Sequence, residues 1–581
     1  MPCTTKRKVD KTGMNTTNYK KRIIIIGASA CGAKAASRIK RLRPDYAVTI
    51  LDQGQYISYA ACGIPYYLSG KVRDLDDLMK TTYGRIRDVL YFKDLKDITI
   101  HTNVRVLDID RNTRRVGATN MNTGESLSFE YDALVLAAGA SPKMPPIPGS
   151  NLKGVYHLTR MQDAAAIAQE IRNNVHGSAV IVGGGFIGVE AAEALILKKW
   201  NVTVLERESQ PFPGMLDFEI SAIIREHFYE NRVDSEFNAE IISFEGEEGK
   251  INKVITKNNE YRADMVIVAV GLKPNTAIAE AAGLALGETR ALKVNALMQT
   301  SDPAIYAGGD MVENKHIITG KPCYIPLGST ANKHGRVIAD NICGMNSKFP
   351  GIQGTFVCKA FEYNVGSTGI TETQAKQMKL DAFALSVCGF DKAHYYPDSQ
   401  IMAVKIIFEN GTYRLLGLQA VGKGDVARRI DVAATAMRLG ATIQDIIYLD
   451  MAYAPPFSPA LDVFVTALNV AENVNSGMMR PITVMEAKRL LDHEDAVLMV
   501  DVRSDLEFRR AHIDNPKVVN IPLDELHERS AELPREKKIV CICLLGLRGF
   551  SAQRILDAAG FPDVCTVEGG MYLWPWKEDL V

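Results

Sequence analysis

The apolar positions of this chain gather into short, dense runs, each closed by a glycine or an acid. "RIIIIG" at 22–27 is one such run, continuous as in a strand buried on both faces, and it ends at Gly27. A small-residue turn and an Ala-rich stretch follow in "ASACGAKAA", which predicts a helix. "AVTILDQ" then predicts a second strand ending near Asp52. The same order returns in "AVIVGGGFIGVEAA" and "NVTVLERE", the latter ending at Glu206. Three further runs have the same character: "YDALVLAAGASP", "ADMVIVAVGLKPN" and "TSDPAIYAGGDMVE", the last placing Asp310 where a strand meets a turn. No run approaches the roughly 20 residues of a membrane span, and no membrane partner is expected.

The duplicated unit carries chemistry. A strand, a glycine turn and a helix bring backbone close to a pyrophosphate at a helix N-terminus, and the acid after the next strand accepts ribose hydroxyls. The second copy is complete, with Gly183, Gly185 and Gly188 followed by Glu206. The first has Gly27 and Gly32 followed by Asp52, but Ser29 stands where the middle glycine belongs. Two dinucleotide sites predict a flavin and a nicotinamide. At the second, the Glu206 carboxylate pairs with a free 2′-hydroxyl and repels a 2′-phosphate, which favours NADH over NADPH; the adjacent Arg207 acts in the other direction.

Length and composition set the surroundings. At 581 residues the chain holds several domains, with 46% hydrophobic and 23% charged residues. Lys+Arg and Asp+Glu both total 68. That balance argues neither for nor against a polyanionic partner, and no nucleic-acid partner is expected. The ten cysteines are scattered, without a CxxC pair, which points to a reducing compartment and a cytoplasmic location. The leader over residues 1–20 is basic and polar and reads as a disordered arm, with Met14 as an alternative start.

Together the two nucleotide units and the three further runs resemble the two-dinucleotide pyridine nucleotide–disulfide oxidoreductases over about residues 20–470. The resemblance implies FAD, with Asp310 on its ribityl chain and Ala331 and Asn332, in "PLGSTANKHGR", near the flavin ring. Ser58, Ala138, Gly139 and Gly271 join the nucleotide-binding set. Disulfide reductases of the glutathione type carry CxxxxC; here the residue five past Cys62 is Tyr67. Cys62 therefore works through a mixed disulfide, a persulfide or a sulfenic acid, all open to one thiolate. It is expected to open a helix with Pro65 in the first turn, a place that favours the thiolate.

"SYAACGIPYY" is similar to the SFxxCxxPY motif of coenzyme A disulfide reductases, matching at Ser58, Cys62, Pro65 and Tyr66. Ala61 replaces the usual Asn. Ala30 stands where NADH oxidases and peroxidases usually carry histidine. The likeness implies a homodimer in which Tyr395 and Tyr453 reach across to the partner's cysteine and donate a proton to the leaving thiol. Lys34, Arg38 and Arg41 fall at i, i+4 and i+7 on one helix face, either meeting the phosphates of a coenzyme A arm or forming a solvated charged face.

After "NVNSGMMRPI" the pattern restarts, and residues 481–581 resemble a rhodanese domain. Cys543 ends a strand in "KKIVCICLLGLRGF" and heads a loop whose amides can cradle an anionic sulfur, with Arg548 closing the ring. Asp501 and Arg503 support fold and loop. A metal site on Cys541 and Cys543 is the alternative; alternating strand residues face opposite ways, and no metal is expected.

The expected fold class is α/β: two Rossmann-like dinucleotide-binding domains, an α+β dimerisation domain and a C-terminal rhodanese-like α/β domain. The expected boundaries are 21–150 with 276–345 for FAD, 151–275 for NAD, 346–470 for dimerisation, 471–480 as a linker and 481–581 for the rhodanese part. The expected activity is NADH-dependent reduction of coenzyme A disulfide, persulfide or polysulfide through Cys62, coupled to sulfane sulfur carried on Cys543. The small-molecule substrates are thus thiols, disulfides and persulfides. An NADH oxidase or peroxidase, or a persulfide carrier serving a partner protein, are the alternatives.

Overall fold

Four-residue apolar runs become central strands here because helices or loops cover both faces of the sheets they form. In the computed structural model, which describes residues 19–581, such runs build three five-stranded parallel sheets, and the chain also forms a five-stranded antiparallel sheet and several smaller antiparallel ones. The arm expected over 1–20 lies outside the described residues as far as residue 18. The chain divides into two units: one of residues up to 145, 157–172 and 270–352, the other of 146–156, 173–269 and 353–581.

In the first unit, five parallel strands lie in the order Ile305–Ala307, Ala133–Leu136, Lys21–Ile26, Tyr46–Leu51, Thr99–His101. The strand Lys21–Ile26 has neighbours from opposite chain directions, so its C-terminal end at Gly27 is a switch point, where open α/β sheets bind ligands. Ile25, Ile50, Leu134, Val135 and Leu136 have no exposed surface. The helix Ala30–Leu42 packs against the helix Gly328–Ile342, and a Cβ on Gly335 would lie 2.5 Å from the Cys31 carbonyl oxygen. Glycine lets these two backbones touch.

The second unit repeats the plan. Parallel strands run Val233–Phe237, Asn201–Glu206, Ser178–Val182, Met265–Val268, Val155–Tyr156. An antiparallel sheet follows in the order Phe356–Ala360, Tyr363–Gly369, Leu415–Gly422, Ile401–Glu409, Ala382–Phe390, the last being an edge strand. The final sheet is parallel again: Pro481–Ile482, Val564–Val567, Lys538–Ile542, Val497–Asp501, Val518–Asn520. Inside this unit Lys405, 2% exposed, is ringed by Glu219 at 2.5 Å, Glu372 at 2.6 Å and Asp217 at 3.4 Å. No helix among the described residues is long and apolar enough to cross a membrane.

Candidate active site

The two glycine turns share one geometry. Gly27 and Gly183 both take positive φ, 105° and 110°. A Cβ on Gly32 would sit 1.9 Å from the Gly27 carbonyl oxygen, and one on Gly188 would sit 1.9 Å from that of Gly183. Only glycine fits the third position, because the helix rests directly on the turn. The middle position differs. Ser29 (φ −88°, ψ −152°) and Gly185 (φ −83°, ψ −169°) are both extended N-caps, a conformation any residue adopts. Serine therefore replaces glycine in the first copy without backbone strain.

Neither helix has an acid in its first turn or a side chain capping it, so the leading N–H groups stay available to an anion. Asp52 accepts the Ala28 and Gly54 N–H groups, each at 2.7 Å. Burial raises its carboxyl above the ordinary value while those two N–H groups pull it back. Glu206, buried, accepts the Gly184 N–H at 2.7 Å and the Glu208 N–H at 2.9 Å. Each acid thus braces its own turn. Arg207 points to solvent and pairs with Glu208 at 2.9 Å.

Beyond the first turn, Gly139 and Gly271 have positive φ and open space where a Cβ would stand. Asn275 Nδ2 donates to the Ala138 carbonyl at 2.8 Å. Asp310 lies in the turn Gly309–Met311, its carboxyl raised by burial, and Tyr324 Oη donates to its carbonyl at 2.8 Å. Ala331 is buried in the first turn of the helix Gly328–Ile342. Sequence reasoning missed His334, fully buried one turn further on. Burial pushes its imidazole down to about 3, so it stays neutral and accepts the Gly309 N–H on Nδ1 at 3.1 Å. The open turns, the uncapped helix ends and the clearance at Gly139 and Gly271 fit an extended dinucleotide such as FAD.

Cys62 is exposed, and the helix begins later than expected. Ala61–Gly63 form a single 3-10 turn, and the helix runs Ile64–Ser69 with Pro65 in its first turn. Proline suits that place because it lacks the N–H that would go unmet there. Four residues earlier Ser58 holds φ at 51°, a left-handed conformation that costs a non-glycine residue on the order of 1 kcal/mol. Its N–H donates to the Ala28 carbonyl at 2.9 Å, which fastens the cysteine segment to the first glycine turn.

The basic face divides in two. Arg38 pairs with Asp340 and is committed inside its unit. Lys34 and Arg41 instead share a positive field with Arg87 and Lys96, two residues sequence reasoning missed. Burial and those three cations lower the Lys96 ammonium to about 8, and its Nζ donates to Ser37 Oγ at 2.9 Å. A cluster that depresses one of its own ammonium groups is poised for an anion.

In the second unit Tyr395 and Tyr453 are exposed neighbours, and the Tyr395 hydroxyl is raised by partial burial and by the Tyr453 hydroxyl. Cys543, 1% exposed, directly follows the strand Lys538–Ile542, and its Sγ accepts the Gly546 N–H at 3.2 Å. Gly546 has φ 102°, which turns that amide back on the sulfur. Arg548 meets Glu507 in a two-pronged pair at 2.7 and 2.6 Å, which holds the Glu507 carboxyl at about 2. The guanidinium expected to close the sulfur loop is thus engaged by a carboxylate. Asp501 and Arg503 form a buried pair at 2.6 Å.

Residues 21–335 match the family model described as pyridine nucleotide-disulphide oxidoreductase, and 355–463 match its dimerisation domain. The chain belongs to the pyridine nucleotide-disulphide oxidoreductase family. Residues 483–575 match a rhodanese-like domain, which this member of the family carries behind the dimerisation domain. It resembles the structure of a NAD-dependent persulfide reductase from A. fulgidus, at 42% identity and TM-score 0.91, over 95% of this chain and 100% of that one. It also resembles reduced Bacillus anthracis CoADR-RHD, at 34% identity and TM-score 0.89, over 97% and 99%. A Pyrococcus horikoshii relative, named as an NAD(P)H coenzyme A polysulfide/persulfide reductase, is 39% identical over 78% of this chain and 99% of its own length.

Proposed function

We propose that the protein is a homodimeric, FAD-containing reductase that uses NADH, in preference to NADPH, to cleave S–S bonds in coenzyme A persulfide, coenzyme A disulfide or polysulfide. The observation that carries this reading is the pair of dissimilar thiols. Cys62 is exposed beside a strained serine, with Tyr67 where a disulfide partner would stand; Cys543 is buried, with an amide aimed at its sulfur. The first suits nucleophilic attack on a bulky substrate. The second suits holding an anionic persulfide.

In this reading the FAD site lies within 21–150 and 276–345, the NAD site within 151–275, and sulfane sulfur is handled by 481–581. Lys34, Arg41, Arg87 and Lys96 neutralise the phosphates of the coenzyme A arm. The Cys62 thiolate attacks the sulfane sulfur of R–S–SH, forming Cys62–S–SH as the S–S bond of the substrate breaks and R–S⁻ departs. Tyr395 and Tyr453 of the partner subunit supply the proton that the departing thiolate takes. Bound FAD supplies the two electrons from the nicotinamide that return Cys62 to a thiolate and release sulfide. Cys543 carries sulfane sulfur as a persulfide, stabilised by the Gly546 N–H.

Anaerobic NADH oxidation against coenzyme A persulfide, coenzyme A disulfide, polysulfide and glutathione disulfide tests the proposal, with oxygen and peroxide alongside. The expected result is turnover with the coenzyme A and polysulfide substrates and release of thiol or sulfide. NADH loss matched only by oxygen or peroxide consumption would overturn it.

A further inference from the structure

Among the described residues the strand Ala382–Phe390 has a sheet neighbour on one side only, so the N–H and C=O groups of its other side have no strand to pair with. Ser386 N–H, on that open side, donates to Glu568 Oε2 at 2.8 Å. Glu568 directly follows the strand Val564–Val567 and is 6% exposed. Two glycines with positive φ come next, and a Cβ on Gly570 would fall 2.1 Å from the Cys543 carbonyl oxygen. The Met571 N–H donates to that oxygen at 2.8 Å, and the Tyr572 N–H to the Leu544 carbonyl at 3.1 Å. One end of this short segment therefore seals the edge strand, and the other end carries the sulfur loop.

The charges around Glu568 oppose its ionisation. Lys405 faces it, but that ammonium already serves Glu219, Glu372 and Asp217, while Lys376 pairs with Glu372. Two ammonium groups thus meet three carboxylates before Glu568 is counted. Burial, aided by Glu219 and Glu372, raises the Glu568 carboxyl to about 8 against the pull of the Ser386 N–H and Lys405.

We propose that Glu568 is the positioning residue that docks the Cys543 loop on the edge strand 382–390, and that docking is strengthened when its carboxyl carries a proton. The docking stands on this geometry; its relevance to sulfur transfer rests on the function proposed for Cys543. Linkage fixes the direction. Undocked, the carboxyl returns to its ordinary value of about 4.3, so the docked form holds a proton that the undocked form lacks across the interval up to about 8. Docking is strongest below that interval, weakens about tenfold per pH unit across it, and is level above it.

Hydrogen-exchange protection of the Ser386 amide in the full-length protein, corrected for the intrinsic rate at each pH, tests this between about pH 5 and 8. Wild type is expected to lose protection as pH rises, approaching tenfold per unit. Glu568→Gln keeps an acceptor for the Ser386 N–H and cannot ionise, so its protection should be high and flat. Glu568→Ala should be poorly protected throughout; if that variant does not fold, the Gln comparison decides alone. Protection independent of pH in wild type, or a slope in Glu568→Gln equal to that of wild type, would overturn the proposal. The readout needs no substrate, whereas sulfur loading of Cys543, followed by mass spectrometry in the same samples, tests the functional reading separately.

Discussion

Gly188→Ala should disable the nicotinamide site while leaving the flavin in place. The new Cβ would lie 1.9 Å from the Gly183 carbonyl oxygen and 3.4 Å from Ile181 Cγ2. Ordinary non-bonded contacts settle at about 3.5–4.0 Å, so the helix Phe186–Leu197 must withdraw by on the order of 1 Å. The obstructing atom is backbone, in the turn leaving a strand buried in a parallel sheet, and it cannot swing aside as a flexible side chain would. Overpacking of this kind costs about 1–3 kcal/mol. A displacement of about 1 Å in groups that position a ligand costs on the order of 100-fold. The Kd for NADH should therefore rise about 10–100-fold, equivalent to about 1.4–2.7 kcal/mol. Anaerobic stopped-flow reduction of the bound flavin, titrated with NADH, reads this directly. Gly32→Ala makes the same collision with Gly27 and should instead yield protein that has lost its yellow colour. A Gly188→Ala protein that binds NADH as wild type does would refute the reasoning from these two turns.

Two further outcomes follow from the same geometry. NADH should exceed NADPH in kcat/KM, and Glu206→Gln should narrow the ratio by removing the charge that repels a 2′-phosphate; a native preference for NADPH would show Arg207 prevailing. Inactive Cys62→Ser chains mixed with inactive Tyr395→Phe/Tyr453→Phe chains should regain part of the activity through one intact site per mixed dimer. No recovery, with subunit exchange demonstrated, would mean that the tyrosines act within their own chain or not at all.

Sequence pattern made the nucleotide strands legible because a strand buried on both faces must be apolar throughout, and such runs end where the glycines begin. The departure at Ser29 needs no change of backbone: the extended conformation it shares with Gly185 shows that no φ/ψ strain there demands glycine. The helix after Cys62 starts two residues later than the sequence suggests because the chain first makes a 3-10 turn, which leaves no periodic signature over three residues. Helical spacing put Lys34, Arg38 and Arg41 on one face but could not reveal that Asp340, some 300 positions away, claims Arg38. Arg87 and Lys96 join the basic cluster by the same kind of long-range meeting. Glu568 and Ser386 likewise carry no local signal: one directly follows a strand and the other lies mid-strand, and their partnership exists only once the edge strand is covered.

The central claim is that Cys62 is the thiol at which the S–S bond is cut. Its most direct test is sulfide release from coenzyme A persulfide by Cys62→Ser under anaerobic NADH, with flavin absorbance followed in the same cuvette. The account predicts that NADH still bleaches the flavin while sulfide release falls to background. Sulfide release near the wild-type rate would contradict it.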